Sequence, residues 1–277
     1  MSAMKTIEEA FRDYEFYHCI ELAPGVVTPG WKDVIPSQRP VSDAIKSLDL
    51  TGKNVIDIGC RDGLFCFEAE QRGATVFGID NDLSRPAVEF LIPYLHSSVR
   101  MEQMNLYDLR VAPDQRYDAA IFAGLLYHLR FPFYGLKIVA NAIKPDGFMI
   151  LETALLLSHN SYPFLYCPRP EDSPYEPTSV TFFNHLALIA AIESVGFSKA
   201  TCTSVIGGNM EYRSWESFVA EQPTIASSDK IVIGRGTYVC RRRESDDQSA
   251  LENYWFGFHN LNSDSNANRV FIENHLK

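Results

Sequence analysis

Residues 54–63 read NVIDIGCRDG and join an apolar strand, a tight turn and the start of a helix. The strand runs into Asp57 and Gly59, and the turn ends at Gly63. Glycines let the backbone approach a ligand closely, and the start of a helix presents unpaired N–H groups. The spacing departs from the dinucleotide fingerprint GxGxxG, because Arg61 replaces the middle glycine and would crowd a pyrophosphate. The stretch therefore predicts a ligand-binding loop in an α/β fold and disfavours NAD or FAD.

Short apolar strands alternate with helical stretches along most of the chain. Near-continuous apolar strands are typical of a parallel sheet that helices cover on both faces. We therefore predict an α/β fold with a doubly wound, mostly parallel sheet of seven strands. The predicted strands are 54–59, 74–80, 99–105, 117–124, 147–153, 198–206 and 236–242. The predicted helices are 6–18, 63–71, 84–95, 132–143 and 180–195.

The carboxyl ends of the predicted strands carry residues that suit a ligand. In parallel α/β sheets ligands bind at this edge, near the point where strand order reverses. Asp80 closes the second strand, where a carboxylate is placed to accept hydrogen bonds from ribose hydroxyls. Asn105 and Leu106 end the third strand with a polar and an apolar side chain that suit adenine, and Gly124 ends the fourth. Together these strand ends are far more specific than a glycine loop alone.

Five segments resemble the class I S-adenosylmethionine-dependent methyltransferases in order and spacing. They are IDIGCRDG, VFGID, MNLYDL, IFAGLLYHLRFP and IKPDGFMILET, all within residues 40–200. Within that family the chain is most similar to the group that includes the wobble-uridine methyltransferases of tRNA. This similarity rests on a GxLYHxxxP stretch from Gly124 to Pro132 and on the LET strand end at 151–153.

The resemblance implies a Rossmann-like fold that binds S-adenosylmethionine. Asp57 and Gly59 would hold its methionine end, while Asp80 would bind the ribose. The implied cofactor-binding set is Asp57, Gly59, Cys60, Gly63, Asp80, Asn81, Asn105, Leu106 and Gly124. Two residues depart from the family pattern: Arg61, which points either to solvent or to a carboxylate, and Asn105, where Asp is frequent. An Asn carbonyl oxygen accepts from an adenine amino group, so we expect adenine binding to survive.

Methyl transfer to a hydroxyl requires an aligned acceptor, exclusion of water and removal of a proton. His128 follows the fourth strand beside the expected methyl position, and a neutral imidazole is a suitable base near neutral pH. We predict His128 as the base, Tyr127 as a hydrogen-bonding group, and Glu152 as a carboxylate that binds substrate or orients His128. The open alternatives are a packing or capping role for His128, packing beneath the loop for Tyr127, and a solvated strand end for Glu152. No His, Asp and Glu cluster has metal-ligand spacing, so we expect no metal.

The composition is that of an acidic globular protein. In 277 residues, 25 Lys and Arg against 35 Asp and Glu give a formal net charge of −10. This balance disfavours nucleic acid as a partner, because its binding depends mainly on cationic contacts to phosphates. We see no apolar run of about 18 residues for a membrane span and no signal-peptide pattern, and therefore expect a cytoplasmic protein. The six scattered cysteines form no CxxC pair and are expected to be reduced.

We divide the chain into three parts. Residues 1–40 are an N-terminal helix and an irregular strap rich in Pro and Gly, 41–243 are the methyltransferase domain, and 244–277 are a polar tail with one aromatic cluster. Insertions at 157–179 and 207–235 are too long for plain connections and are typical of lids or binding loops. Aromatic residues and prolines crowd the first insertion, which suits a lid over a flat or sugar-like substrate.

The leading functional hypothesis is O-methylation of a small-molecule, sugar or glycan hydroxyl. The close alternative is a tRNA wobble-uridine methyltransferase, some of which use a carboxylated cofactor that needs a cation near the transferred group. No residue clearly matches the lysine of those enzymes, with Lys32 and Arg39 as uncertain stand-ins, so we expect ordinary S-adenosylmethionine. A non-catalytic binding module and a nicotinamide oxidoreductase are further alternatives, the latter disfavoured by Arg61.

Overall fold

The computed structural model describes residues 5–244, so the predicted tail lies outside the described residues from 245 onward. A short hairpin of β1 and β2 precedes a ten-stranded sheet. The strands are β1 Glu21–Ala23, β2 Val26–Val27, β3 Asn54–Ile58, β4 Thr75–Asp80, β5 Arg100–Gln103, β6 Tyr117–Ala123, β7 Ile143–Leu156, β8 Leu165–Tyr166, β9 Phe182–Asn184, β10 Phe197–Gly207, β11 Met210–Tyr212 and β12 Ile233–Arg242.

Helices lie on both faces of this sheet. They are α1 Ile7–Asp13, α2 Ile35–Ser47, α3 Leu64–Gln71, α4 Ile92–Tyr94 with a π-helical turn before it at Ala87–Leu91, α5 Pro132–Ala142, α6 His185–Ser194, α7 Trp215–Glu221 and α8 Pro223–Ala226. Successive residues of β3 face opposite sides, as strand geometry requires. Val55 packs in a core with Ile45 of α2, whereas Ile56 packs in a second core with Leu136 of α5.

The strand order is β11-β10-β12-β7-β6-β3-β4-β5. The five strands β5, β4, β3, β6 and β7 are parallel to one another. Beyond β7, the pairs β7–β12, β12–β10 and β10–β11 are each antiparallel. This arrangement confirms the predicted doubly wound, mostly parallel α/β fold. The seven predicted strands all occur, and the short β8, β9 and β11 extend the sheet to ten. Strand order reverses at β3, between β4 and β6, so the carboxyl ends of these strands define the ligand edge.

The N-terminal part differs from the prediction in two ways. Helix α1 is capped by Thr6, which forms a capping box with Glu9, but it ends at Asp13 rather than at residue 18. Residues 35–40, predicted as irregular strap, form the first turns of α2. Pro36 lies in the first helical turn, where a backbone N–H is not needed, so it does not prevent this helix, and Pro40 lies inside the helix.

The segment before α6 was also predicted incorrectly. Residues 180–195 were predicted as one helix, but 182–184 form β9, which pairs with the carboxyl end of β7. The helix starts only at His185, because the Asn184 side chain accepts the N–H of Ala187 and caps it. The insertion at 157–179 contains β8, and the insertion at 207–235 contains β11, α7 and α8.

Candidate functional site

The glycine loop has the backbone shape that its sequence predicts. Gly59 and Gly63 have φ angles of +85° and +87°, in the region that favours glycine. A Cβ at Gly63 would start 2.1 Å from the methyl carbon of Met101, so the end of this flexible side chain would have to shift. The N–H of Gly59 donates to the carbonyl of Ile79 at 2.8 Å, which fixes the loop against the end of β4.

Asp80 organises the loops at the ends of β3 and β4. Its Oδ2 accepts the backbone N–H of Arg61 at 2.9 Å, and its Oδ1 accepts the N–H of Asp82 at 2.8 Å. The Arg61 guanidinium turns to Asp82, bonding both its carboxylate and its carbonyl. Of the two orientations left open by the sequence, the structure has the one toward a carboxylate.

Two cavities meet at this edge of the sheet, and Gly59, Asp80 and Leu125 line both of them. The smaller cavity, about 70 Å³, is lined by the predicted Asn81, Asn105 and Leu106. The larger cavity, about 360 Å³, is lined by the predicted Gly124, Tyr127, His128 and Glu152. The two cavities therefore adjoin at Gly59, Asp80 and Leu125.

Asn105 caps a short helical turn beside the smaller cavity. Its side-chain carbonyl oxygen accepts the N–H of Tyr107 at 2.9 Å. This oxygen keeps a second lone pair, and the amide NH₂ can donate. The predicted hydrogen bond from an adenine amino group to Asn105 stays a prediction.

Three predicted cofactor residues, Asp57, Cys60 and Gly63, line neither of these two cavities of the described chain. Asp57 is 1% exposed, and its Oδ2 accepts the thiol of Cys66 at 3.1 Å. Burial raises the pKa of Asp57 to about 7. Asp57 therefore supports the loop from the end of β3, and its contact with the methionine end of the cofactor stays a prediction.

The predicted catalytic residues are brought together. His128 Nδ1 lies 3.0 Å from the carbonyl of Thr178, so Nδ1 donates, and in the neutral ring the lone pair is on Nε2. His128 Nε2 lies 3.5 Å from Oε1 of Glu176. Both partners belong to the insertion at 157–179, which therefore holds the imidazole in a fixed orientation.

Arg235 and Glu152 form a buried ion pair in the lining of the larger cavity, and the sequence analysis did not predict Arg235. Arg235 donates to Glu152 through Nε at 2.6 Å and through Nη2 at 2.7 Å. Its guanidinium carbon lies 4.7 Å from the centre of the Tyr127 ring, and Nη1 donates to the Tyr175 hydroxyl at 3.1 Å. Burial raises the pKa of Tyr127, which keeps its phenol neutral. Thr237 pairs with Glu152 across β7 and β12, so Arg235, two residues earlier, shares that face.

The N-terminal strap forms the remaining wall. Tyr17, His18 and Trp31 line the larger cavity, as does Gln38 of α2. Asp62 of the glycine loop accepts the backbone N–H of His18 at 2.8 Å and that of Tyr17, which ties the strap to the loop. These residues follow no periodic pattern that marks a site, so only the tertiary contact reveals them.

Residues 5–244 contain no cluster of three or more His, Cys, Asp or Glu side chains that would hold a metal ion. The same stretch has no helix with both the length and the apolar character of a membrane span.

Comparisons with known proteins agree on one family. A profile described as a methyltransferase domain matches residues 37–201. A tRNA U34 carboxymethyltransferase of Helicobacter pylori is 26% identical over 180 residues, which cover 63% of this chain and 64% of that protein. One from Ectopseudomonas mendocina is 30% identical over 166 residues, covering 57% of this chain and 49% of that protein. The chain thus spans less than two thirds of these curated relatives.

Solved structures share the fold. The N-terminal domain of EvdMO1, determined with SAH and D-fucose, has a TM-score of 0.59 at 18% identity and covers 87% of this chain and 98% of that one. A Burkholderia thailandensis 1,6-didemethyltoxoflavin-N1-methyltransferase, determined with S-adenosylhomocysteine, has a TM-score of 0.53 at 15% identity, covering 75% and 78%.

Proposed function

This chain belongs to the methyltransferase domain family, and from that premise we propose that it transfers the methyl group of S-adenosylmethionine to a hydroxyl of a small polar acceptor. The observation that carries the proposal is a pair of adjoining cavities that share lining residues. Asp80 lies where they meet, and His128 lies in the larger one. The cofactor and the acceptor can therefore bind side by side, with a candidate base in the larger cavity.

The residues present fit the cofactor. Each Asp80 oxygen accepts one backbone N–H and keeps a lone pair for a ribose hydroxyl. Leu106 gives the small cavity an apolar wall and Asn105 gives it an amide, which suit a purine ring. When bound, S-adenosylmethionine supplies an electrophilic methyl group on a sulfonium.

His128 is the proposed base. The carbonyl of Thr178 fixes the proton on Nδ1, so Nε2 can take the acceptor's proton as its oxygen becomes a nucleophile. Glu176, 3.5 Å from Nε2, stabilises the resulting imidazolium. Tyr127 and Glu152 act less directly: Glu152 neutralises Arg235, and the Tyr127 ring packs against that guanidinium.

The charges in the larger cavity favour a small neutral acceptor over nucleic acid. Arg61 and Arg235 are its cationic lining residues, and Asp82 and Glu152 pair with them. Asp33 and Glu176 add negative charge to the same cavity. Phosphates bind where cations are in excess, so this lining disfavours an RNA backbone.

A second candidate function is carboxymethyl transfer to tRNA. The named activity of the curated relatives favours it, and so does the position of Arg235 in the cavity, because a carboxylated cofactor needs a cation beside the transferred group. Arg235 has five N–H donors, and Glu152 and Tyr175 use three of them. A carboxylate would therefore have to share this arginine with Glu152.

One calorimetric comparison separates the two functions. S-adenosylmethionine and its carboxylated form are titrated into the protein, and binding of tRNA lacking the uridine-34 modification is measured in parallel. We expect tighter binding of S-adenosylmethionine and no tRNA complex. Tighter binding of the carboxylated form, together with transfer of its carboxymethyl group to the tRNA, would establish the second function instead.

A further inference from the structure

The N-terminal strap places an exposed indole ring in the lining of the larger cavity. Trp31 is 64% exposed, although tryptophan is a residue that proteins mostly bury, and it lines this cavity together with Tyr17. The centres of the two rings lie 5.3 Å apart, and the backbone N–H of Trp31 donates to the Tyr17 carbonyl at 2.9 Å. These contacts hold the indole in place and leave a flat apolar surface open to a ligand.

Contacts along the cavity connect this surface to the candidate base. Burial raises the pKa of the Tyr17 phenol, and the charges of Arg235 and Glu176 act on the same group, so its hydroxyl lies within electrostatic range of both. Glu176 in turn lies 3.5 Å from Nε2 of His128. All these residues line one cavity with Trp31, so a ligand that contacts the indole can also reach the base.

The charged groups that remain available to a ligand here are hydrogen-bond acceptors. Asp33, two residues after Trp31, lines the same cavity, and its carboxylate makes no hydrogen bond or ion pair within residues 5–244. An ionised carboxylate can only accept, so the ligand must bring the donors. Arg61 and Arg235, the cationic residues of this lining, are already paired with carboxylates. A phosphate on the ligand would therefore meet the uncompensated charge of Asp33 and be repelled.

Among small acceptors, a neutral sugar meets these conditions. A pyranose ring has an apolar face of C–H groups that can stack on an indole, and its edge carries several hydroxyl donors. Two neighbouring hydroxyls can donate to the two oxygens of one carboxylate. A simple phenol has a single donor, and an amine would bring its ammonium close to the sulfonium of the bound cofactor, where like charges repel.

We propose that Trp31 and Asp33 form an acceptor subsite for a neutral, unphosphorylated sugar, with the sugar ring on the indole and two neighbouring hydroxyls donating to the Asp33 carboxylate. Another hydroxyl of the same ring then lies toward His128. This inference rests on the proposed function, of which it names the substrate class. It assigns the choice of acceptor to the strap, whereas Asp80 and the smaller cavity serve the cofactor.

The test measures binding of sugars to the protein loaded with S-adenosylhomocysteine. The probes are the methyl glycosides of D-glucose, D-galactose, D-mannose and D-fucose, with methyl glucoside 6-phosphate as the charged counterpart and catechol as a flat phenol. Calorimetric titration gives each affinity. We expect the wild type to bind at least one neutral glycoside more tightly than it binds the 6-phosphate or catechol.

Two variants and two matched controls locate the subsite. Trp31→Ala and Asp33→Asn should each bind the preferred glycoside roughly tenfold more weakly and bind S-adenosylhomocysteine as the wild type does. Phe131→Ala removes an aromatic ring that is 65% exposed and lines neither cavity, and Asp114→Asn neutralises an exposed turn. Both controls should bind the glycoside normally.

The charge of Asp33 gives a readout that a merely structural role would not change. Asp33→Asn removes the carboxylate that repels a phosphate, so the preference for the neutral glycoside over its 6-phosphate should become smaller in this variant. Trp31→Phe keeps an aromatic face and should bind the glycoside more tightly than Trp31→Ala does.

The outcomes separate this inference from the proposed function. Equal affinities of Trp31→Ala and Phe131→Ala for the glycoside, tighter binding of catechol or of the 6-phosphate, or binding of none of the probes overturns the inference. Wild-type protein that does not bind S-adenosylhomocysteine contradicts the proposed function itself. Binding of S-adenosylhomocysteine also shows that a variant is folded, and if Trp31→Ala fails this check, Trp31→Phe replaces it with an expected loss of about threefold.

Discussion

At the scale of single residues, Asp80 is the most direct test of the cofactor site. Asp80→Ala removes the carboxylate that we assign to the ribose, which should weaken S-adenosylmethionine binding by about 1–3 kcal/mol, or roughly tenfold to a hundredfold. The measurement is calorimetric titration, with Asp114→Ala at an exposed turn as the control. An Asp80→Ala protein that binds as tightly as the wild type contradicts the assignment.

His128 gives the test of the chemistry. If it removes the acceptor proton, His128→Gln should lower turnover by about 10²–10⁴-fold while S-adenosylmethionine binding stays near normal. Turnover is measured as the initial rate of S-adenosylhomocysteine release, and S-adenosylmethionine binding is measured by calorimetry. A fall of less than about tenfold in turnover would assign the rate to alignment alone, and a joint loss of turnover and binding would make His128 structural.

Asp57 predicts a pH dependence of stability. Its pKa is raised from 3.8 to about 7 by burial, so the folded protein retains a proton that the unfolded chain loses. Its contribution to the free energy of unfolding therefore falls as pH rises through this window, by roughly 1.4 kcal/mol per unit, and is constant above it. Asp57→Asn removes this dependence.

Urea unfolding of the wild type and Asp57→Asn at about pH 5 and about pH 8 checks the sign. The free energy of unfolding of Asp57→Asn minus that of the wild type should be larger at the higher pH. His18 and His185, whose pKa values burial lowers to about 4, give the opposite slope in both proteins and cancel in the difference. The same difference at both pH values would show that Asp57 keeps an ordinary carboxyl pKa in the folded protein.

At the scale of elements, the Glu152–Arg235 pair joins β7 to β12. Arg235→Met leaves a buried carboxylate without its cation, which should destabilise the protein by about 3–5 kcal/mol. The double variant Glu152→Gln/Arg235→Met should lose much less than the sum of the single variants, because neither charge is then unpaired.

Urea denaturation of the single and double variants gives this coupling. Arg85→Met, which breaks an exposed pair with Glu89, is the control and should change stability by about 0.5 kcal/mol or less. Additive losses for Glu152 and Arg235 would mean that the two groups do not interact in solution.

How far the sequence predicted the site also depends on the elements. Gly59, Asp80 and Gly124 were found because parallel strands end at one edge, so a residue after a strand has a known place. Arg235 was not found, since it meets Glu152 across 83 residues and through an antiparallel register that no local pattern fixes. The burial of Asp57 likewise depends on how α3 packs over β3.

The strap shows the same limit in a segment without periodicity. Its prolines and glycines predicted an irregular path, and the hydrogen bonds to Asp62 decide which side chains face the cavity. The sequence predicted the existence of β6, β7 and their helices because apolar periodicity is local. It did not predict β9, whose three residues pair only because β7 extends to Leu156.

At the scale of the whole molecule, the insertion at 157–179 should respond to ligands as a lid. Tyr175, Glu176 and Thr178 line the larger cavity, and Glu176 and Thr178 hold His128. Closure over both ligands would exclude water and align the acceptor, so residues 161–179 should become more resistant to proteolysis. Chymotrypsin digestion reads this out at Tyr175, which is 47% exposed and is followed by Glu176. Cleavage that is identical with and without cofactor and acceptor would mean static packing.

The position of β12 has a consequence for biosynthesis. It is the last strand of the described chain to leave a ribosome, yet it lies between β7 and β10, which are made before it. Until residue 242 has emerged, β7 and β10 cannot pair through it, and each keeps an open edge that can aggregate. A nascent chain stalled before Arg235 would already contain the glycine loop and Asp80 but lack the wall around Glu152. We therefore expect ribosome-bound chains to bind the adenosine part of the cofactor before they acquire activity. The rate of translation then sets the interval between these two events.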